Sequence, residues 1–222
     1  MNKILIVAPH PDDETLGCGG TLLKHKKKGD KIYWLIITSM SAEGGFPKAQ
    51  VEAREKEINA VSKAYGFERV FSLAMPVTRI DTLPRAEIVR KIGKVIEMVK
   101  PTALYLPFKN DVHSDHRVVF DSAISSGKTF RFPSIKKLMM YEAISETEFS
   151  APLKDNIFMP NNFSDITGYI DKKITIMNLY KSELGPPPFP RSKQNIKALA
   201  TFRGSTAGVR YAEAFMTLKE IW

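Results

Sequence analysis

Cysteine is nearly absent from this chain: of 222 residues only Cys18 carries a thiol. An internal disulfide is excluded, and nothing asks for an oxidising compartment. Long apolar runs are missing too, and no window approaches the roughly 18 residues of a spanning helix. Met1-Asn2-Lys3 leads into Ile4-Leu5-Ile6-Val7, too short for a signal h-region and followed by no small-residue cleavage site. The cytoplasm is the expected location. Low-complexity tracts, internal repeats and long linkers are also lacking, with 13 Gly and 14 Pro dispersed along the chain. What is present is 43% apolar residues, enough for one buried core, so one domain over residues 1–222 is expected.

Acidic residues are outnumbered, 24 against 33 basic, for a net charge of +9. That excess raises nucleic acid as a partner. The densest basic cluster, Lys24-His25-Lys26-Lys27-Lys28, has no interleaved aromatics for stacking on bases. A solvated helix end, with His25 in water, or an attraction for small anionic substrates fits it better.

Short apolar or β-branched runs predict strands at Lys3 to Ala8, Lys31 to Ser39, Val70 to Met75, Thr102 to Pro107 and Lys137 to Ala143. Helical spacing predicts Leu16 to Lys28, Lys48 to Tyr65, a helix carrying Ile88, Ile92, Val95, Ile96 and Val99, and Asp115 to about Ser125. Later helices are expected from about Ser164 to Ser182 and from Arg191 to Thr201. Strands apolar throughout, separated by helices, cannot pair as hairpins. They imply an α/β fold of the Rossmann-like, doubly wound kind, with a mostly parallel sheet flanked by helices. Ligands of such sheets bind beyond the carboxyl ends of the strands, at the switch point.

Histidine is scarce, and three of the four histidines fall in two short segments leaving the first and fourth strands. The first is Pro9-His10-Pro11-Asp12-Asp13-Glu14; the second is Asn110-Asp111-Val112-His113-Ser114-Asp115-His116. Taken singly, each reads as first-turn acids or a helix cap. Together at a switch point they read as a metal site. Imidazole and carboxylate ligate borderline metals, and a catalytic zinc takes three protein ligands while leaving a position open. His10, Asp13 and His116 supply such a set, and Asp12, His113 and Asp115 are then left for catalytic or supporting work. Gly17-Cys18-Gly19-Gly20 lacks dinucleotide spacing and reads as close helix-to-sheet packing, with Cys18 inside the helix. Arg54 follows the carboxyl end of the second strand, where its guanidinium can meet sugar hydroxyls or a phosphate, or pair with Glu57 or Glu55. Tyr141-Glu142, ending the fifth strand, are within reach of the cleft.

The paired His10-Pro11-Asp12-Asp13-Glu14 and His113-Ser114-Asp115-His116 elements resemble the LmbE-like, or PIG-L-like, zinc-dependent N-acetylglucosaminyl deacetylases. The resemblance extends to Arg54 and Glu57, to Pro190-Arg191-Ser192, and to Arg203-Gly204 with Tyr211 to Phe215. It implies an LmbE-like fold, Zn2+ (or Fe2+) on His10, Asp13 and His116, Asp12 as general base, and His113 as acid or oxyanion partner. Asp115 would then hold His113 charged. Arg54, Arg191 and Ser192 are implied on the substrate side. Some members carry a tyrosine where this chain has Asp111, an anion suited to orienting a histidine or a substrate hydroxyl. The implied partner is a small N-acetylated sugar or sugar conjugate, with either His113 or protonated Asp12 serving the leaving amine. Homo-oligomer formation is an expectation of the same kind. The competing reading is a non-catalytic metal-binding protein associated with nucleic acid through its basic surface, which leaves Asp12 and His113 without a purpose. A two-carboxylate glycosidase using Asp12 and Glu14 explains neither His113 nor His116.

Overall fold

Alternating apolar side chains in the first strand decide the layering. In a computed structural model describing residues 1–222, β1 (Lys3–Ala8) turns Ile4, Ile6 and Ala8 to one side and Leu5 and Val7 to the other, and both sides are buried. The first side packs under α1 (Asp13–Lys27) and α2 (Lys48–Tyr65), and the second under α3 (Arg85–Val99) and α4 (Ser114–Ser126). β2 (Lys31–Ser39) repeats the pattern, with Trp34 and Ile36 on one face and Leu35 and Ile37 on the other. Each fully buried aliphatic side chain contributes about 1.5–3 kcal/mol, so period-2 burial on both faces holds the sheet between its helices.

β3 (Arg69–Pro76), β4 (Ala103–Pro107) and β5 (Lys137–Tyr141) complete a parallel set with β1 and β2. Two further strands, β6 (Asn162–Asp165) and β7 (Ala212–Glu220), join antiparallel, giving the order β3-β2-β1-β4-β5-β7-β6. β1 lies between β2 and β4, so the loops leaving β1 and β4 open a crevice between them. The doubly wound plan expected from the sequence is the plan observed.

Several boundaries differ. α1 begins at Asp13 rather than Leu16, so the acidic residues form its first turn. The long helix expected from Ser164 is instead β6 followed by α5 (Ile170–Met177). The Asp165 carboxylate accepts the Thr167 N–H at 2.9 Å, a local turn that stops helix formation before Gly168, while β7 supplies the pairing that makes 162–165 a strand. α6 (Lys193–Ala207) starts later and runs further than expected. β7 was not expected as a strand, because its alternation fades into the polar end Thr217 to Glu220.

Glycine matters where α1 crosses the sheet. A Cβ at Gly20 would lie 2.6 Å from Ile166 Cγ2, and one at Gly17 would overlap the Tyr141 ring. Cys18 sits between them, buried in the apolar cluster and outside the groups able to hold a metal. Contrary to the expectation from the sequence, His25 is not left in water: its Nδ1 is 2.8 Å from Asp30 Oδ2 and its Nε2 is 3.2 Å from the Tyr105 hydroxyl. No helix is long and apolar enough to cross a membrane.

Candidate active site

Asp12 is the residue before α1, and its φ of 135° is one a non-glycine side chain rarely adopts. Such a conformation costs about 1–3 kcal/mol and persists only when its surroundings impose it. Here the Asp12 N–H donates to Glu14 Oε2 at 3.0 Å, and the Asp12 carbonyl accepts both Thr15 and Leu16 N–H at 2.9 Å. The strained turn sends Asp12 and Asp13 to neighbouring positions in the crevice. Glu14 turns inward instead, where it accepts the Tyr180 hydroxyl at 2.9 Å and burial pushes its carboxyl up to about 7.

His10, Asp13 and His116 converge, their nearest ligand atoms all within 4.8 Å of one another. Asp13 Oδ2 accepts the His10 N–H at 2.8 Å and lies 3.6 Å from His10 Nδ1 and 3.3 Å from His116 Nε2. Burial opposes charge on Asp13, but His116 and His10 beside it hold its carboxyl down at about 2. On His116 burial disfavours the cation, yet Asp13 and Asp111 outweigh it and raise the imidazole pKa well above its ordinary value. These groups are arranged for a cation.

Carboxylates behind both rings fix which nitrogen faces the site. His116 Nδ1 is 2.8 Å from Asp111 Oδ2, and the Thr147 hydroxyl donates to Asp111 Oδ1 at 2.6 Å. With one ring proton toward Asp111, the raised pKa favours a second, which a metal cation would displace, on Nε2. Nε2 is fully buried, has no hydrogen-bond partner and faces an anionic oxygen. A buried ring nitrogen this close to a carboxylate needs a positive charge between them, a proton or a metal ion. On the other ring, His10 Nε2 lies 3.1 Å from Asp115 Oδ2, which also accepts the Thr78 N–H at 2.8 Å, leaving His10 Nδ1 toward Asp13. Two imidazoles and a carboxylate, each imidazole backed by a second carboxylate, fit a catalytic zinc or ferrous iron.

The structure corrects the expectation for Asp115. Its carboxylate engages His10 and Thr78, not the His113 ring, and its backbone N–H donates to His113 Nδ1 at 3.1 Å. His113 is not held charged: burial, and His10 beside it, lower its pKa to about 4. With Nδ1 an acceptor, the proton of neutral His113 sits on Nε2. Asp111 is fully buried behind His116, so it orients that histidine and meets no substrate hydroxyl. Ser192 leaves the substrate side as well, since its Oγ caps α6 by accepting Asn195 N–H at 3.2 Å.

A cleft of about 270 Å³ is lined by His10 and Asp13, with His116 buried against Asp13, and Asp12, His113, Arg54 and Arg191 all reach its wall. Asp12 is buried, and burial, Asp13 and Glu183 raise its carboxyl pKa well above the usual range, with Arg191 Nη1 at 3.3 Å partly opposing. Glu183 and Glu146, which sequence reasoning did not single out, line the same cleft. Neither sits in a spaced motif. The loop after β5 was the one signal available, but Tyr141 hydrogen-bonds Val7 O and Glu142 pairs with Arg203, while Glu146 faces the cleft.

Comparisons with known proteins bear directly on this geometry. Residues 5–126, carrying both histidine segments, match the family model described as PIG-L: GlcNAc-PI de-N-acetylase. The chain belongs to this family. It is 24% identical to the diacetylchitobiose deacetylase of Thermococcus kodakarensis, over 96% of this chain and 82% of the relative. The conserved protein TT1542 from Thermus thermophilus superposes with a TM-score of 0.80 at 26% identity, covering 100% of this chain and 97% of that one. GalB of Pseudomonas putida KT2440, a 4-carboxy-2-hydroxymuconate hydratase, superposes at 0.76 with 18% identity, covering 100% and 98%. The PIG-L fold therefore carries more than one chemistry, and the side chains of the cleft must argue the reaction.

Proposed function

We propose that this protein is a metal-dependent hydrolase that removes the acetyl group from an N-acetylated amino sugar or sugar conjugate, with zinc on His10, Asp13 and His116 and ferrous iron as the alternative. The carrying observation is the buried, unpartnered Nε2 of His116 facing Asp13 at 3.3 Å, with Asp12 and His113 on the wall of the same cleft. Similarity to a diacetylchitobiose deacetylase supports the substrate class. The single, buried cysteine fits action in the cytoplasm.

A divalent metal at this site supplies Lewis acidity, easing ionisation of a water and polarising an acyl oxygen. Asp12, ionised beside Arg191 Nη1 at 3.3 Å, takes a proton from the attacking water as the new carbon–oxygen bond forms, and its raised pKa makes it the stronger base. Neutral His113 directs its Nε2–H at the oxyanion that develops on the former carbonyl. Giving up that proton would leave an imidazolate, so Asp12 returns its own proton to the departing nitrogen. The carbon–nitrogen bond breaks, and acetate and a free amine leave. Asp111 and Asp115 hold the two ligand imidazoles in the required tautomers.

Elemental analysis and acetate release test the assignment together. Purified protein is expected to hold about one metal ion per chain, and His116→Ala to lose both metal and activity. Full deacetylation of N-acetyl sugars by metal-stripped protein would overturn it.

A further inference from the structure

Charge on the cleft wall is one-sided once the partners are followed. The cations there, other than histidines, are Arg54 and Arg191. Arg54 donates Nη1 to Pro11 O at 2.9 Å, sets Nε 3.3 Å from Glu57 Oε2, and engages Ser182 and Glu183 through Nη2. Arg191 places Nη1 3.3 Å from Asp12 and Nη2 3.1 Å from Glu183 Oε2. Glu183 thus bridges the two guanidiniums, and of the Arg191 nitrogens only Nε, which is buried, lacks a partner. Glu146 is the opposite case. Its carboxylate has no salt-bridge partner, only the Ser145 hydroxyl at 3.4 Å. Its backbone is fixed, the N–H donating to Ala143 O and the carbonyl accepting Val112 N–H.

We infer that the cleft selects an uncharged N-acetyl sugar over one carrying a phosphate or carboxylate beside the sugar ring, with Glu146 as the specificity residue that accepts hydrogen bonds from sugar hydroxyls. The inference rests on the deacetylase reading and narrows its substrate. The carboxylates of Asp12, Asp13, Glu183 and Glu146 line this cleft beside the two guanidiniums and the metal it would hold, with Glu57 against Arg54 behind them. An anionic substrate must either break an arginine–carboxylate pair, leaving a half-buried acid without its partner, or approach Glu146 unscreened. Sugar hydroxyls donate to a carboxylate at no such cost. The overall charge of +9, which from sequence alone suggested anionic substrates, does not set the charge of the cleft.

The test titrates N-acetylglucosamine and N-acetylglucosamine 6-phosphate into zinc-loaded protein by calorimetry, with acetate release followed in parallel. The neutral sugar is expected to bind about tenfold more tightly, the scale of one like charge at close range in a partly screened cleft. Glu146→Gln, which keeps the shape and removes the charge, should shrink that preference several-fold, and Glu146→Lys should reverse it. Equal or tighter binding of the phosphate, binding of neither sugar, or a preference indifferent to both substitutions overturns the inference, whatever the acetate result. The expected preference without acetate release from any N-acetyl sugar leaves the inference standing and sinks the deacetylase reading.

Discussion

Two sites along α1 bury opposite charges beside one another, and they are completed differently. Midway along the helix, Lys173 Nζ donates to Glu213 Oε1 and to Leu16 O, each at 2.7 Å, while the Glu213 carboxylate accepts the Gly20 and Thr21 N–H groups at 2.8 Å. Every charged atom there has a partner. At the N-terminus of the same helix, His116 Nε2 has none, Asp115 Oδ1 has none, and Asp12 sits in a strained turn. Burial is similar in the two places. The difference lies in what is left unsatisfied, and a fold that satisfies its buried charges elsewhere leaves them open where a cation and a substrate are to complete them.

Asp12→Asn should show the larger effect on the open side. The amide keeps the shape and cannot take a proton, so acetate release is expected to fall by roughly 10²–10⁴-fold while metal content stays unchanged. Turnover near the wild-type level would remove Asp12 from its role. On the completed side, Lys173→Met should leave Glu213 buried without its counter-ion and cost about 3–5 kcal/mol of stability by urea denaturation. Metal content of the folded protein should not change. If that variant lost metal while keeping its stability, the two sites would not be separate in the way described.

Asp111→Asn sharpens the comparison from the ligand side. Replacing the carboxylate behind His116 weakens the hold on its tautomer, and metal affinity is expected to fall about 10–100-fold, measured by competition with a chelator. This residue also shows how much of the site was legible in the sequence. Which segments meet, and which histidines and carboxylates face the metal position, follows from short motifs on a topology that strand and helix periodicity already implies. The roles of Asp111, Asp115 and Ser192 depend on side-chain direction, which spacing does not encode: Asp115 is two residues from His113 and yet reaches His10. Glu183 and Glu146 were invisible for another reason. They come from loops whose placement is set by the packing of α5 on α1 and by the path after β5, contacts remote in sequence. The same remoteness hid β6, a four-residue strand that exists only because β7 lies beside it.

The smallest effect concerns the other histidine–carboxylate pair, at the far end of α1. Burial lowers the His25 pKa despite its contact with Asp30, so the unfolded chain binds this proton more readily than the folded one. The resulting stability is complete above the unfolded value of about 6.5 and declines as pH falls from there through the lower folded value. His113, lowered to about 4, adds a decline of the same sign, so the contribution of His25 must be read as a difference between proteins. His25→Gln can still hydrogen-bond Asp30 and cannot titrate. Its denaturation free energy should therefore fall less steeply than that of wild type between pH 7 and pH 5, with acetate release at pH 7 unaffected because the pair lies away from the cleft. Parallel stability curves would mean that His25 carries the same proton in both states. The pair would then be solvated in effect, as the surrounding lysines alone would suggest.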